Sequence, residues 1–305
     1  LKALEILSAK KNILFIINPI SGIGRQKRIE RAIPGLLDHT IYTHEIRYSK
    51  YVNHAAELAA EAVREGFDIV VAVGGDGTLG EVASGILHTN TEMAVIPAGS
   101  GNGMARELGI PRSLRGAFEC INKGVTQTID TARLNGNTFI STAGSGFDAH
   151  VANRFSVGQK RGLLRYALIV AREFLGYPSR KYALQIDGQE KIERFAWDVV
   201  FCNSKQFGNG AIVSPDSDVQ DGMLNVVVVK DFPKYITPFM VLRLFTRSLP
   251  GSPYVEVYNC RSVSVEREKN NAIHLDGSPF KTESKLDVEI VPASLKVRVP
   301  KPLRG

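Results

Sequence analysis

Asp76 and Thr78 stand in a bed of glycine. The run Gly74-Gly-Asp-Gly-Thr78 offers a carboxylate, a hydroxyl and backbone amides that no Cβ shields. Such a set suits the anionic tail of a nucleotide. Unpaired amides and the hydroxyl would take phosphate oxygens, and the carboxylate would hold a cation or orient an attacking hydroxyl. Two other segments share this chemistry, Asn18-Pro-Ile-Ser-Gly-Ile-Gly-Arg25 and Pro97-Ala-Gly-Ser-Gly-Asn-Gly-Met-Ala-Arg106. A tight turn that binds nothing would explain any one of them.

The elements that must position these residues are legible around them. Asn12–Ile17, Asp68–Val73 and Met93–Ile96 are short apolar runs of the kind that form strands buried on both faces. After each glycine-rich segment the apolar residues fall at helical spacing, as in Leu79, Val82, Ala83 and Ile86. Strand, glycine loop and helix repeated in this way predict an open parallel sheet. Its loops line the carboxyl edge, where ligands bind. Three such loops on one edge are better explained by a bound polyphosphate than by three chance turns.

Taken together, the three segments resemble the motif set of the diacylglycerol kinase catalytic-domain family, which includes bacterial lipid kinases, sphingosine kinases and ceramide kinases. The match runs in the family's order from about Lys11 to the C-terminus. The middle motif is shared with NAD kinases; the set of three is more specific. The resemblance implies a Rossmann-like doubly wound α/β domain, residues 1–128, and a β-sandwich lipid-substrate domain, residues 129–305, with the active site between them. The last strand would return to the first domain. It implies an ATP-dependent kinase for the hydroxyl of a lipid such as diacylglycerol, a sphingoid base or a phospholipid, with Mg²⁺ as the metal.

Roles follow residue by residue. Asn18, Ser21 and Gly22 would contact the triphosphate. Gly74, Gly75, Gly77 and Thr78 would cradle it, with Glu81 completing that motif. Gly99, Ser100 and Asn102 would line the third loop. Asp76 would hold the catalytic Mg²⁺ or orient the acceptor. Ser49 aligns with a nucleotide-contacting hydroxyl of the family; a serine that caps the following helix, His54–Glu65, is the alternative.

The first part alternates strands (Ile13–Ile17, Thr40–Tyr48, Asp68–Val73, Met93–Ile96) with helices (Arg25–Leu37, His54–Glu65, Leu79–Leu87, Met104–Leu108, Leu114–Asn122). After Thr128 the texture turns to Val-rich alternation with Asp-Gly turns, which suggests a sandwich, interrupted by helices at Gly162–Phe174 and Ile236–Arg247. Gly144-Ser-Gly-Phe-Asp-Ala149 imitates a dinucleotide fingerprint, but no βαβ unit closes around it, and it reads as a turn near the interdomain cleft.

Asp218, Asp221 and Gly222 form an acidic turn whose carboxylates and a main-chain carbonyl suit a hard divalent cation. The resemblance assigns a structural Mg²⁺ to Asp218, Asp221 and the carbonyl of Met223; an Asp-rich turn before a strand is the alternative. The family's Asp-Gly-Glu, whose acid takes the acceptor's proton, stands here as Asp276-Gly277-Ser278. Serine cannot be that base. Asp276, alone or with Asp76, is then the candidate, or transfer is slow. His274 is read as packing.

The chain has 305 residues, which favours two domains, and its net charge of +7 points to polyanionic partners. Nothing resembles a zinc or RNA-binding signature, so nucleic acid is not expected. Cys120, Cys202 and Cys260 have no metal spacing and read as thiols of a reducing compartment. There is no apolar run long enough to span a bilayer and no signal-peptide pattern. A cytoplasmic enzyme meeting its lipid at the inner membrane face is the expectation; whether as monomer or homodimer is left open. Lys160–Leu175 joins basic residues to an apolar face that would line a lipid pocket or pack on the sandwich. Two other readings stay open: a soluble-substrate kinase of the NAD kinase type, and a non-catalytic binding protein, suggested by Ser278.

Overall fold

The computed structural model describes residues 10–21, 26–156, 169–170, 172–174, 176–268 and 272–302. In β1 (Lys11–Ile17), Leu14 and Ile16 face one side of the sheet and Ile13, Phe15 and Ile17 the other. A strand buried on both faces needs helices on both. With β2 (Tyr42–Tyr48), β3 (Ile69–Gly74) and β4 (Glu92–Pro97) it forms a parallel sheet in the order β2-β1-β3-β4. The helices are α1 (Gln26–Leu36), α2 (His54–Arg64), α3 (Asp76–Ile86), α4 (Gly103–Glu107) and α5 (Leu114–Lys123). Ile29 and Ile33 of α1 and Phe118 and Ile121 of α5 cover one face. Leu58 of α2, with Leu79 and Val82 of α3, covers the other.

The second part is largely antiparallel. It contains β5 (Val125–Leu134), β6 (Asn137–Phe139), β7 (Thr142–Gly146), α6 (Phe147–Ser156), β8 (Arg180–Ile186), β9 (Ile192–Cys202), the ribbon β10 (Gln206–Gly208) and β11 (Ala211–Ile212), and β12 (Leu224–Lys230). There follow α7 (Thr237–Phe245), β13 (Val255–Cys260), β14 (Ser262–Arg267), β15 (Ile273–Leu275), β16 (Ser278–Phe280) and β17 (Lys285–Val299). Alternation again sets the layers. Leu224, Val226 and Val228 of β12 enter the sandwich core, while Val227 and Val229 meet an aromatic layer with Phe147, Phe174, Trp197 and Phe232. The fifteen-residue β17 pairs with β14 and along β5, and bridges β4 in parallel at Val297–Met93. β5 runs through Thr128 without a break.

The expected architecture, a doubly wound sheet followed by a β-sandwich, is present; several boundaries differ. The third helix begins at Asp76 rather than Leu79, because Gly75 is the extended residue before it and Asp76-Gly77-Thr78 form its first turn. β6 stops at Phe139, since the next three amides turn aside to a buried carboxylate described below. The segment 144–149 is no loop turn: β7 runs straight into α6. The ribbon 206–212 was not expected, although Gly208-Asn209-Gly210 is a hairpin signal. Gly22, Arg25, Asn271 and most of the segment Lys160–Leu175 lie outside the described residues. The three cysteines are free and buried. Among the described residues no helix is long and apolar enough to cross a membrane.

Candidate active site

The strand registers decide where the loops emerge. Ile17 pairs with both Tyr48 and Val73, and Gly74 with Pro97, so the loops after β1, β2, β3 and β4 leave the sheet at one level. They then hold one another. Asn18 Nδ2 donates to Thr78 Oγ1 at 3.0 Å, tying the first loop to the first turn of α3. The Gly74 carbonyl accepts from the amides of Ala98 (2.8 Å) and Gly99 (3.1 Å). A Cβ on Gly99 would stand 2.5 Å from the Gly75 Cα, so the second and third loops touch backbone to backbone. We expect Gly99→Ala to force them apart and lower the melting temperature.

The predicted residues among those described each have a definite place. Asn102 is buried, and its amide group closes its own loop, accepting from Gly99 N at 2.9 Å and donating to Gly99 O at 2.7 Å. Its side chain thereby shapes the loop that would meet the ligand. Ser100 is exposed at the loop's crest. Ser21 is buried under the first loop, whose carbonyls at Pro19 and Ser21 accept from Gln26 Nε2, a contact the sequence did not suggest. Ser49 is buried, and its amide donates to Ile17 O at 3.0 Å. It does not cap α2, because the residue before that helix is Asn53. Glu81 turns to α2, where Oε2 accepts from Ala55 N at 3.2 Å.

Asp76 opens α3 and reaches the start of α4, where Oδ1 accepts from Met104 N at 3.1 Å. Burial raises its pKa, and the amides of Gly103, Met104 and Asn102 pull it back. A Cβ on Gly101 would lie 3.3 Å from Asp76 Oδ2.

The second part covers this ledge. Asn209 N donates to Gly101 O at 3.4 Å, so the β10–β11 ribbon seals the third loop from outside. The β15–β16 hairpin turns on Asp276 and Gly277, both at positive φ (48° and 76°), as a two-residue turn of this hand requires. It brings the Ser278 hydroxyl over the first turn of α3, where a Cβ on Gly77 would stand 2.7 Å from Ser278 Oγ.

Asp276 itself points inward. Its carboxylate accepts from the amides of Ile140 (3.0 Å), Ser141 (2.8 Å) and Thr142 (3.2 Å), and Oδ2 lies against Gly80 of α3. Burial pushes its pKa up to about 7, against those amides, with the charge of Asp76 adding to the rise. In this conformation it is a latch between the sandwich and α3. Oδ1 accepts from two amides and Oδ2 from one.

Beneath the turn, His274 is more than packing. Its Nε2 meets Asp148 Oδ2 at 2.7 Å, and Nδ1 accepts from Gly277 N at 3.2 Å. Burial disfavours the imidazolium, but the Asp148 carboxylate outweighs it and raises the pKa. Burial beside Asp148 also raises Asp198. These three groups bind protons more tightly folded than unfolded, so the fold loses stability as pH rises from about 4 toward and past neutrality. The melting temperature is expected to fall between pH 5 and pH 8, and Asp276→Asn to flatten that slope. A wild-type curve that rises over this range would contradict the assignment.

The acidic turn is elsewhere, against β5 and β17. Asp218 Oδ1 accepts from Gln220 N at 3.0 Å and Asp221 Oδ1 from Met223 N at 2.9 Å. Buried Asp130 holds the turn at Gly222 N (2.7 Å) and the β17 bulge at Ala293 N (2.7 Å). Burial raises the Asp221 pKa, the Met223 amide lowers it, and the charges of Asp218 and Asp130 raise it further. Among the described residues no three His, Cys, Asp or Glu side chains form a metal-binding group. Two carboxylates and a carbonyl are still hard donors, and their crowded charge is what a divalent cation relieves, so the set fits Mg²⁺ completed by water.

Comparison with known proteins agrees with this geometry. Residues 12–134 match the model of the diacylglycerol kinase catalytic domain, and residues 141–299 that of the YegS C-terminal NAD kinase beta sandwich-like domain. A diacylglycerol kinase of Bacillus subtilis is 31% identical over 284 residues, covering 88% of this chain and 89% of its own length. The chain belongs to the diacylglycerol kinase family. A family member from Mycobacterium tuberculosis, also named diacylglycerol kinase, is 29% identical over 298 residues, with 94% of each chain covered. A crystal structure of a diacylglycerol kinase from Bacillus anthracis superposes with a TM-score of 0.71 at 20% identity, over 96% of this chain and 98% of that one, and shares its fold. Against the family's Asp-Gly-Glu, this member of the diacylglycerol kinase family presents Ser278 at the ledge.

Proposed function

We propose that the chain transfers the γ-phosphate of ATP to the hydroxyl of a lipid acceptor such as diacylglycerol, a sphingoid base or a phospholipid. The observation that carries this reading is the ledge: three glycine loops at one level, the second and third in backbone contact and the first tied to α3 through Asn18 and Thr78, roofed by the β15–β16 turn. Amides around Gly75, Gly77 and Thr78 and the loops at Asn18 and Ser100 would receive the triphosphate, helped by the positive end of α3. Asp76 would hold the accompanying Mg²⁺ or orient the acceptor. Bound Mg²⁺ would neutralise phosphate charge during transfer.

Phosphoryl transfer passes through a loose transition state, so most of the work is positioning and charge neutralisation. A chain without a carboxylate at position 278 can still transfer, but slowly. The reading is tested by incubating the protein with γ-labelled ATP, Mg²⁺ and a panel of lipids in mixed micelles. Label in the lipid phase is the expected result. Label on NAD with none on any lipid would favour the soluble-substrate alternative.

A second Mg²⁺, structural, is proposed at Asp218, Asp221 and the Met223 carbonyl, supported by the donor set and its crowded charge. Titration calorimetry should show Mg²⁺ binding without nucleotide, lost in Asp221→Asn; equal binding by the variant would remove the site.

A further inference from the structure

The helix α7 and the turn before it carry large apolar side chains on both their inward and their outward sides. Met240 is buried, and Ile236 and Leu244 pack half-buried on the aromatic layer with Trp197 and Phe232. On the outward side Tyr235, Phe239, Leu242 and Phe245 are 80%, 67%, 57% and 57% exposed. Steps of four, three and three residues keep them on one stripe. A single exposed leucine is ordinary, but a continuous row of large apolar side chains is not. A helix apolar all round is one that something covers on both sides.

Charge and area select the cover. From Phe232 to Pro250 the chain carries Lys234, Arg243 and Arg247 and no Asp or Glu. Lys234 turns its ammonium inward, 5.1 Å from the Phe174 ring centre and 5.4 Å from those of Trp197 and Phe232. That leaves Arg243, half-buried, and Arg247, exposed, at the end of the helix where they would meet anionic head groups. The stripe offers roughly 500 Å² of apolar surface at the usual size of such side chains. A stable dimer needs about 800 Å² from each partner. A helix lying in a bilayer interface needs no more than a shallow insertion. The position also fits: α7 rests on β11, and its ribbon partner β10 packs on α4 beside the ledge.

We propose that Tyr235, Phe239, Leu242 and Phe245 form a bilayer-docking surface that enters an anionic leaflet, with Arg247 among the head groups. The purpose of this surface rests on the lipid-acceptor reading; its chemistry rests on the exposed residues themselves.

The test is co-sedimentation of the full chain with phosphatidylglycerol vesicles and, separately, phosphatidylcholine vesicles, without ATP. Wild type should sediment with the first and far less with the second. Phe239→Ser, Leu242→Ser and Phe245→Ser change outward residues, and each should cost about tenfold in partition. The triple variant should stay in solution while keeping the wild-type circular dichroism and the melting shift with ATP. Wild type that ignores anionic vesicles, or a triple variant that binds them equally, overturns the proposal. So does a wild-type dimer that the triple variant splits while neither form binds vesicles, which would make a second copy the occupant. Equal binding to both vesicle types overturns the anionic preference. A chain that docks but phosphorylates nothing sinks the kinase reading and leaves this one standing.

Discussion

Asp76→Asn is expected to abolish phosphoryl transfer, lowering kcat by about 10³-fold or more, while the protein still folds. Asparagine is nearly isosteric and keeps an oxygen to accept from Met104 N, so the link between α3 and α4 survives. What it lacks is the charge. The carboxylate is held at the first turn of α3, between the second and third loops, where a nucleotide's phosphates and cation would gather. Alanine makes a useful companion. It also leaves the Met104 amide without its acceptor, which should cost about 1 kcal/mol of stability. Comparable transfer defects in both variants, with a melting loss in alanine alone, would separate chemistry from architecture. Full activity in the asparagine variant would remove Asp76 from the mechanism.

Ser278→Glu should act in the opposite direction, raising turnover about 10²-fold. Ser278 is exposed at the start of β16 and stands over Gly77, so a longer acidic side chain has room and faces the ledge. The nearby alternative base, Asp276, already spends both oxygens on three amides. The gain should appear as a new ascending limb in the pH–rate profile that the wild type lacks. An unchanged rate would mean that the acceptor's proton leaves by a route needing no carboxylate at 278, and Asp276 would return as the candidate.

The sheet edge and its three loops were legible because short apolar strands and glycine punctuation are local signals. Buried runs such as Ile13–Ile17 admit few other placements. What the sequence did not show were side-chain destinations. Asn102, Glu81 and Asp276 carry the polar atoms a ligand would want, yet each is satisfied by backbone amides. Their partners lie in other segments or in their own folded loop, and no spacing rule reports that. His274 was misread for the same reason, since Asp148 lies 126 residues away. The helix at 147–156 was hidden by the glycines of β7, which imitate a turn.

The strand β17 has a consequence for how the molecule is made. It follows every other described strand in sequence, yet it lies beside β5 for most of its length and reaches β4 at Met93. Until residues 285–299 leave the ribosome, the finished-looking first half has an open sheet border with unpaired peptide groups, a known invitation to mispairing. The border is therefore sealed only after the other strands of both parts have been made, and a fragment halted before Lys285 should clump even though every loop of the ledge is already present.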